Sequence, residues 1–181
     1  MAKRVAFCNY VPVENELAGV RDFPRDACAV ASTLEVIGER WTMHVLRESF
    51  LGIRRFEDFR RNIGVARNIL SDRLATLVAE GILRRELYSE HPPRHEYRLT
   101  RKGVDLYGIL IELGKWGNRW SPQPEGPAVV LRHRGCGHVV EPVLACPDCG
   151  EPVHAWDLEA TPGPGMASLR TARADAPPPA A

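Results

Sequence analysis

Long apolar runs are missing from this sequence. None approaches the roughly 18 residues that a membrane-crossing helix needs, and the first residues lack the uninterrupted apolar segment of a secretion signal, because Asn9, Pro12 and Glu14 interrupt it. A cytoplasmic location is the expectation. No internal repeat is present, which removes a solenoid or propeller. No Ser/His/Asp set, phosphate-binding loop or carboxylate pair stands out, and His44, His91 and His154 have no partners at ligand spacing; nothing asks for an enzyme. Net charge is nearly absent at +1, from 24 basic and 23 acidic residues. Cysteine is sparse and odd in number, five in all, with three crowded into Cys136, Cys146 and Cys149. That pattern argues against an extracellular disulfide framework and for a metal or redox cluster.

What remains is an ordinary chain of 181 residues, 44% apolar, long enough for one main domain and a small second one. Its charge is uneven: Arg40 to Lys102 holds 14 basic and 8 acidic residues, whereas Ser121 to Ala181 holds 4 and 7. A basic middle suggests a polyanionic partner. Proline divides the chain, since only four of 15 lie before Ser121. The expected organisation is an arm over 1–27, a main domain over 28–120, a Pro-rich linker over 121–127, a small Cys/His module over 128–157 and a disordered tail over 158–181.

Within the main domain, Val30, Leu34, Ile37 and Trp41 follow helical spacing and predict one amphipathic face. A second helix continues through Val45 and Leu46 to Leu51-Gly52. Phe56, Phe59 and Ile63 mark a short helix ended by Gly64. Ala66 to Glu80 forms the next, with Leu70, Leu74, Leu77 and Val78 on one face and Gly81 as its stop. Ile82 to Tyr88 and Arg94 to Leu99 suit two strands, joined by a loop containing Pro92 and Pro93. Thr100 is a good N-cap for a last helix over Arg101 to Trp120.

Three helices followed by a basic hairpin form the pattern of a winged helix. The runs Leu34-Glu-Val-Ile-Gly-Glu-Arg-Trp-Thr42, Gly52-Ile-Arg-Arg-Phe56, Asn68-Ile-Leu-Ser-Asp-Arg-Leu74, Glu80-Gly-Ile-Leu83, Tyr88 to Pro93 and Glu96-Tyr-Arg-Leu-Thr-Arg-Lys-Gly103 occur in that order. Over roughly Cys28 to Trp120 the chain resembles the HxlR-type winged-helix transcriptional regulators. The resemblance implies a homodimer on an inverted-repeat operator in double-stranded DNA.

With Leu70, Leu74, Leu77 and Val78 inward, Asn68, Asp72 and Ala75 face outward, flanked by Arg67 and Ser71. Asn68 suits a bidentate contact with adenine, Arg67 a guanine or phosphate, and Ser71 a base or a phosphate oxygen; Asp72 repels phosphate unless paired or reading a cytosine amino group. Arg67 and Arg73 can equally serve only to solvate the helix or to cap nearby carboxylates. Arg54, Arg55, Arg84, Arg85, Arg94 and His95 are candidates for phosphate contacts. The last helix has two apolar stripes, Leu106, Leu110 and Leu113 and Val104, Tyr107 and Ile111, so it wants a second subunit as well as its own core, or else the N-terminal segment. Gly108, Gly114 and Gly117 each cost it about 1 kcal/mol relative to Ala.

His133-Arg-Gly-Cys136-Gly137 and Cys146-Pro-Asp-Cys149-Gly150 share one form: a ligand, two residues, a ligand and Gly. Two such turns resemble a small zinc ribbon. One structural Zn²⁺ per chain on His133, Cys136, Cys146 and Cys149 is the expectation, with His138 the rival to His133, and a ribbon that has lost its metal the plainer alternative. A thioredoxin-like pair at Cys146 and Cys149 is disfavoured, because Gly150-Glu-Pro152 blocks the helix such a pair needs. In some members of the resembling family a Cys at the position of Cys28 senses oxidants, and Arg25 with a helix N-terminus would favour its thiolate; a small buried residue is the alternative.

The expected fold class is α+β: a winged helix-turn-helix domain with a long C-terminal dimerisation helix, plus a small zinc-ribbon-like β module. The expected function is sequence-specific DNA binding as a homodimer, with no turnover, no membrane and an unidentified effector. The alternative is a protein-interaction module built on a degenerate winged helix and a metal-stabilised ribbon.

Overall fold

The structure, a computed structural model, describes residues 28–159 and 163–165. The arm expected over 1–27, including Arg25, and most of the expected tail lie outside these described residues. Two compact units form, one over Ser32–Pro142 and one drawn from Met1–Ala31 and Val143–Ala181; each is taken by itself.

Helix α1 spans Ala29–Ile37 and α2 spans Arg40–Phe50. The single stripe expected from Val30 to Trp41 is therefore broken. Glu39 restarts the helix by accepting the Trp41 and Thr42 backbone N–H groups at 2.8 and 3.2 Å, the role that an N-cap side chain plays. Ile37 is buried, but Val30 and Leu34 are 67% and 56% exposed, so the spacing marked a helix without marking a core face.

Helices α3, Phe56–Ile63, and α4, Arg67–Ala79, form the helix-turn-helix. Gly64 ends α3 at φ 70°, a left-handed conformation that only Gly adopts freely, and three residues later α4 begins. Leu70, Leu74 and Leu77 are fully buried against Val45 and Leu46 of α2 and Phe59 of α3, while Val78 is half-buried. Burying each such side chain is worth about 1.5–3 kcal/mol, and this cluster fixes which face of α4 is left for solvent. A polar node supports it: Glu48 is buried, accepting from Arg47 Nη2 at 2.7 Å and from Asn62 Nδ2 at 2.8 Å, which ties the end of α3 to α2.

Strands β1, Leu83–Ser89, and β2, Arg94–Leu99, pair antiparallel with Leu83 opposite Leu99. A short segment joins β2 on its other side, through a bridge between Arg55 and Glu96 and a Tyr97 N–H to Arg54 C=O bond of 2.8 Å. Arg54 and Arg55 thus lie on the hairpin's flank just ahead of α3. After Thr100, whose hydroxyl accepts the Gly103 N–H, the expected single helix divides into α5, Arg101–Val104, and α6, Tyr107–Trp120. The break is a tightened turn in which Leu106 N–H reaches back only three residues, to Gly103 C=O. Leu106 and Leu110 pack on the core.

Beyond α6, residues 121–130 contain neither helix nor strand. Strands β3, Leu131–Arg132, and β4, Val139–Val140, form a second two-stranded sheet. In the other unit, Ala145 bridges Pro152 and a single 3-10 turn covers Ala155–Asp157. No helix among the described residues is long and apolar enough to cross a membrane.

Candidate nucleic-acid interface

The core that pins Leu70, Leu74 and Leu77 leaves Arg67, Asn68, Ser71, Asp72 and Ala75 exposed on α4, the face expected from the helical wheel. No side chain caps the first turn of this helix at Ala66, so its N-terminal amides are available to an anion. Asp72 is paired with Arg73, which answers the objection that a bare carboxylate would repel phosphate. Arg73 is spent in that contact and only 25% of its side chain is exposed. Arg67 is also engaged, donating to Glu57 at 2.9 Å and lying over the Phe56 ring at 5.0 Å. The hydrogen bond from Arg60, with the charges of Arg60 and Arg67, holds the Glu57 carboxyl below the usual carboxylate range.

The hairpin sorts its arginines into two kinds. Arg84 is paired with Glu86 at 2.5 Å, and Arg98 spans Glu86 at 2.8 Å and Glu96 at 2.6 Å. The Glu96 bond raises Arg98 above its ordinary value. By contrast, Arg54, Arg55, Arg85 and Arg94 have no carboxylate in ion-pair contact among the described residues. Arg55 lies over the Tyr88 ring at 4.6 Å. Arg85 Nη2 lies 3.0 Å from His95 Nδ1, a contact to which a guanidinium can only donate and which brings no negative charge to offset that of Arg85. Among the described residues, these four arginines are the uncompensated cations of the hairpin and its flank.

On α6 the sequence reading missed Ile109, Trp116 and Trp120. With Leu113 they form steps of four, three and four residues, and they are 40%, 65%, 53% and 53% exposed in the order Ile109, Trp116, Trp120, Leu113. Tyr107, which contacts Phe50 at 4.8 Å, and Val104 are also exposed. The signal was present as a heptad-like spacing, but the stripe was counted on neighbouring faces. Gly108, Gly114 and Gly117 have open space where a Cβ would sit.

Each Cys turn closes on itself. In the first, Gly137 N–H donates to His133 C=O at 2.7 Å and His133 N–H to His138 C=O at 2.9 Å; in the second, Gly150 N–H donates to Cys146 C=O and Cys146 N–H to Glu151 C=O, both at 2.9 Å. Backbone amides of Cys149 and Asp148 lower the Cys146 thiol from its ordinary value. No three His, Cys, Asp or Glu side chains gather as a metal set among the described residues. Cys28 lies half-buried just ahead of α1, and the Arg25 expected to activate it falls outside the described residues.

Residues 36–125 match the family model described as HxlR-like helix-turn-helix. An uncharacterized HTH-type transcriptional regulator of Mycobacterium tuberculosis, Rv3095, is 47% identical over 138 residues, which is 76% of this chain and 87% of the relative. YybR of Bacillus subtilis, also an HTH-type transcriptional regulator, is 36% identical over 94 residues, 51% of this chain and 75% of its own. Among solved structures, that of PA1607, a candidate transcription factor, superposes with a TM-score of 0.65 at 36% identity over 74% of this chain and 94% of its own. That of PA1374 from Pseudomonas aeruginosa, another candidate transcription factor, gives 0.53 at 36% over 76% and 93%.

Proposed function

The chain belongs to the HxlR-like helix-turn-helix family, and from that membership and the geometry of α4 and the hairpin we infer a DNA-binding transcriptional regulator that works as a homodimer on an inverted-repeat operator. The observation that carries the reading is the division of labour on the surface. Asn68 and Ser71, exposed on α4, are side chains that read base edges. Arg54, Arg55, Arg85 and Arg94 carry free charge suited to phosphates, which position the protein without reading sequence. Arg67, Arg73 and Arg84, engaged with Glu57, Asp72 and Glu86, serve mainly to hold α4 and the hairpin in shape.

The exposed stripe Ile109, Leu113, Trp116 and Trp120 supports the homodimer, because a contiguous apolar face on one helix is what a second copy covers. Two copies would then present their α4 helices about 34–36 Å apart, one duplex turn, and so select a two-fold operator.

Selection of binding sites from a random duplex pool, followed by fluorescence anisotropy, tests the whole reading. The expected result is an inverted repeat, with Asn68→Ala changing the base preference in each half-site and leaving the salt dependence in place. A pool that yields no enriched site, and no salt-sensitive binding to random duplex, would reject DNA binding.

A further inference from the structure

A cleft lies at the root of the hairpin, inside the unit of Ser32–Pro142, and the pairing of β2 explains why it is there. Arg98 stands opposite Arg84, and Thr100 N–H donates to Ile82 C=O at 3.0 Å. By the alternation of an antiparallel ladder, Tyr97 and Leu99 therefore turn their N–H groups away from β1. On that side Tyr97 reaches Arg54. Two residues further along β2 the facing chain is already turning at Gly52, whose φ of 89° is left-handed. The strands part, and a cleft of about 210 Å³ opens with the Leu99 N–H on its side.

Three arginines line this cleft: Arg54, Arg84 and Arg98. Like charges directly opposite one another across strands are destabilising, and Arg84 and Arg98 are such a pair. Glu86 offsets them by meeting both at Nε, at 2.5 and 2.8 Å, and Glu96 meets the Arg98 Nε at 2.6 Å. Two carboxylates against three guanidiniums leave one positive charge. Arg54 carries it, having no carboxylate in ion-pair contact among the described residues. Each guanidinium also has five N–H donors, more than the contacts at Nε consume.

Ile53, Tyr97 and Leu99, all half-buried and packed against the core, give the cleft an apolar wall. Pockets for drug-sized ligands hold about 300–1,000 Å³, so only a small molecule fits. One surplus positive charge, spare N–H donors and an apolar wall select a single negative charge on an apolar body. A duplex phosphate has the charge without the body. A flat ring is the body that loses least freedom on binding, and it can pack against the Tyr97 ring.

We propose that the cleft binds a small aromatic monocarboxylate as an effector, with the carboxylate on Arg54 and the Leu99 N–H and the ring against Ile53, Tyr97 and Leu99. On the DNA reading Arg54 also meets a phosphate, so occupancy withdraws one phosphate contact per protomer and weakens the hold on DNA. That consequence rests on the DNA reading; binding of the carboxylate does not.

Isothermal titration of the full-length chain with benzoate, benzamide and inorganic phosphate at fixed ionic strength tests the site. Benzoate is expected to bind once per chain. Benzamide, which lacks the charge, and phosphate, which lacks the apolar body, should bind at least about tenfold more weakly. Arg54→Gln should weaken benzoate about 10- to 100-fold, the worth of a hydrogen bond to a charged group. Arg54 holds β2 through its carbonyl, which that substitution leaves in place, and the helical circular dichroism signal should be unchanged. The Leu99 amide resonance should move as benzoate is added.

Fluorescence anisotropy with random duplex should show weaker DNA binding at saturating benzoate, with no benzoate effect in Arg54→Gln, and the coupling must be equal in both directions. Absent benzoate binding, equal binding of benzamide, or unchanged affinity in Arg54→Gln would overturn the site. Phosphate binding as tightly as benzoate would overturn it too, making the cleft a seat for the duplex backbone. Benzoate that binds without weakening the hold on DNA would overturn the effector role. Titration needs no DNA, so the site and the DNA reading can fail separately.

Discussion

Replacing Arg94 and replacing Arg84 remove the same charge from the same hairpin, yet they should have different effects on DNA binding. Arg94 has no carboxylate contact among the described residues, whereas Arg84 is paired with Glu86 at 2.5 Å. If Arg54, Arg55, Arg85 and Arg94 each meet one phosphate, the proposed homodimer neutralises about eight, and the slope of log affinity against log salt is about −7. From 50 to 200 mM salt that amounts to a loss of about 10⁴-fold. Arg94→Ala removes two contacts per dimer, so its slope should be shallower by about 1.8, and over the same interval it should lose about 12-fold less affinity than the parent. Arg84→Ala should leave the slope within about 0.5 of the parent, because its charge is committed to Glu86. Anisotropy titrations of a labelled random duplex at four salt concentrations resolve this difference. Equal slopes for the two variants, in either direction, would refute the sorting of arginines by their carboxylate partners.

Glu57→Gln should release Arg67 from its ion pair and steepen the same slope by about 0.9 per protomer; an unchanged slope would mean that Arg67 is held by Phe56 alone. Leu113→Asp places a charge in the exposed stripe of α6 and should shift the chain toward monomer in light scattering after size exclusion, with its helical signal intact, whereas a dimer that persists would move the interface elsewhere. Thr42 is fully buried with its hydroxyl lacking a hydrogen-bond partner among the described residues, so Thr42→Val should stabilise the fold by about 1 kcal/mol, since it removes an unsatisfied polar group at constant shape. That gain corresponds to roughly 2–4 °C in Tm for a chain of this size. A lower Tm would show that the hydroxyl has a partner, such as bound water.

The core and the outward face of α4 were legible in the sequence because both follow from one period. Leu70, Leu74 and Leu77 could bury only one side of a helix, which left Asn68, Ser71 and Asp72 opposite. The hairpin was legible because Pro92 and Pro93 cannot sit inside a paired strand. What escaped depended on contacts between separate elements. Arg67 meets Glu57 ten residues away, across the bend at Gly64, and no periodicity announces that pair. Arg54 and Arg55 add to a sheet whose other strand lies some forty residues on, a pairing that no local spacing announces. The break between α1 and α2 turns on one carboxylate, Glu39, folding back onto two amides, a choice that competes with simply continuing the helix.

The bond from Tyr97 to Arg54, together with the bridge from Glu96 to Arg55, has a mechanical consequence. It ties the hairpin to the strip of chain from which the helix-turn-helix departs, so on the proposed reading α4 and the hairpin would meet a duplex as one unit. A duplex engaging both at once would conform to the angle between them. Sequences that bend cheaply into that shape would be favoured even at base pairs that no side chain reaches.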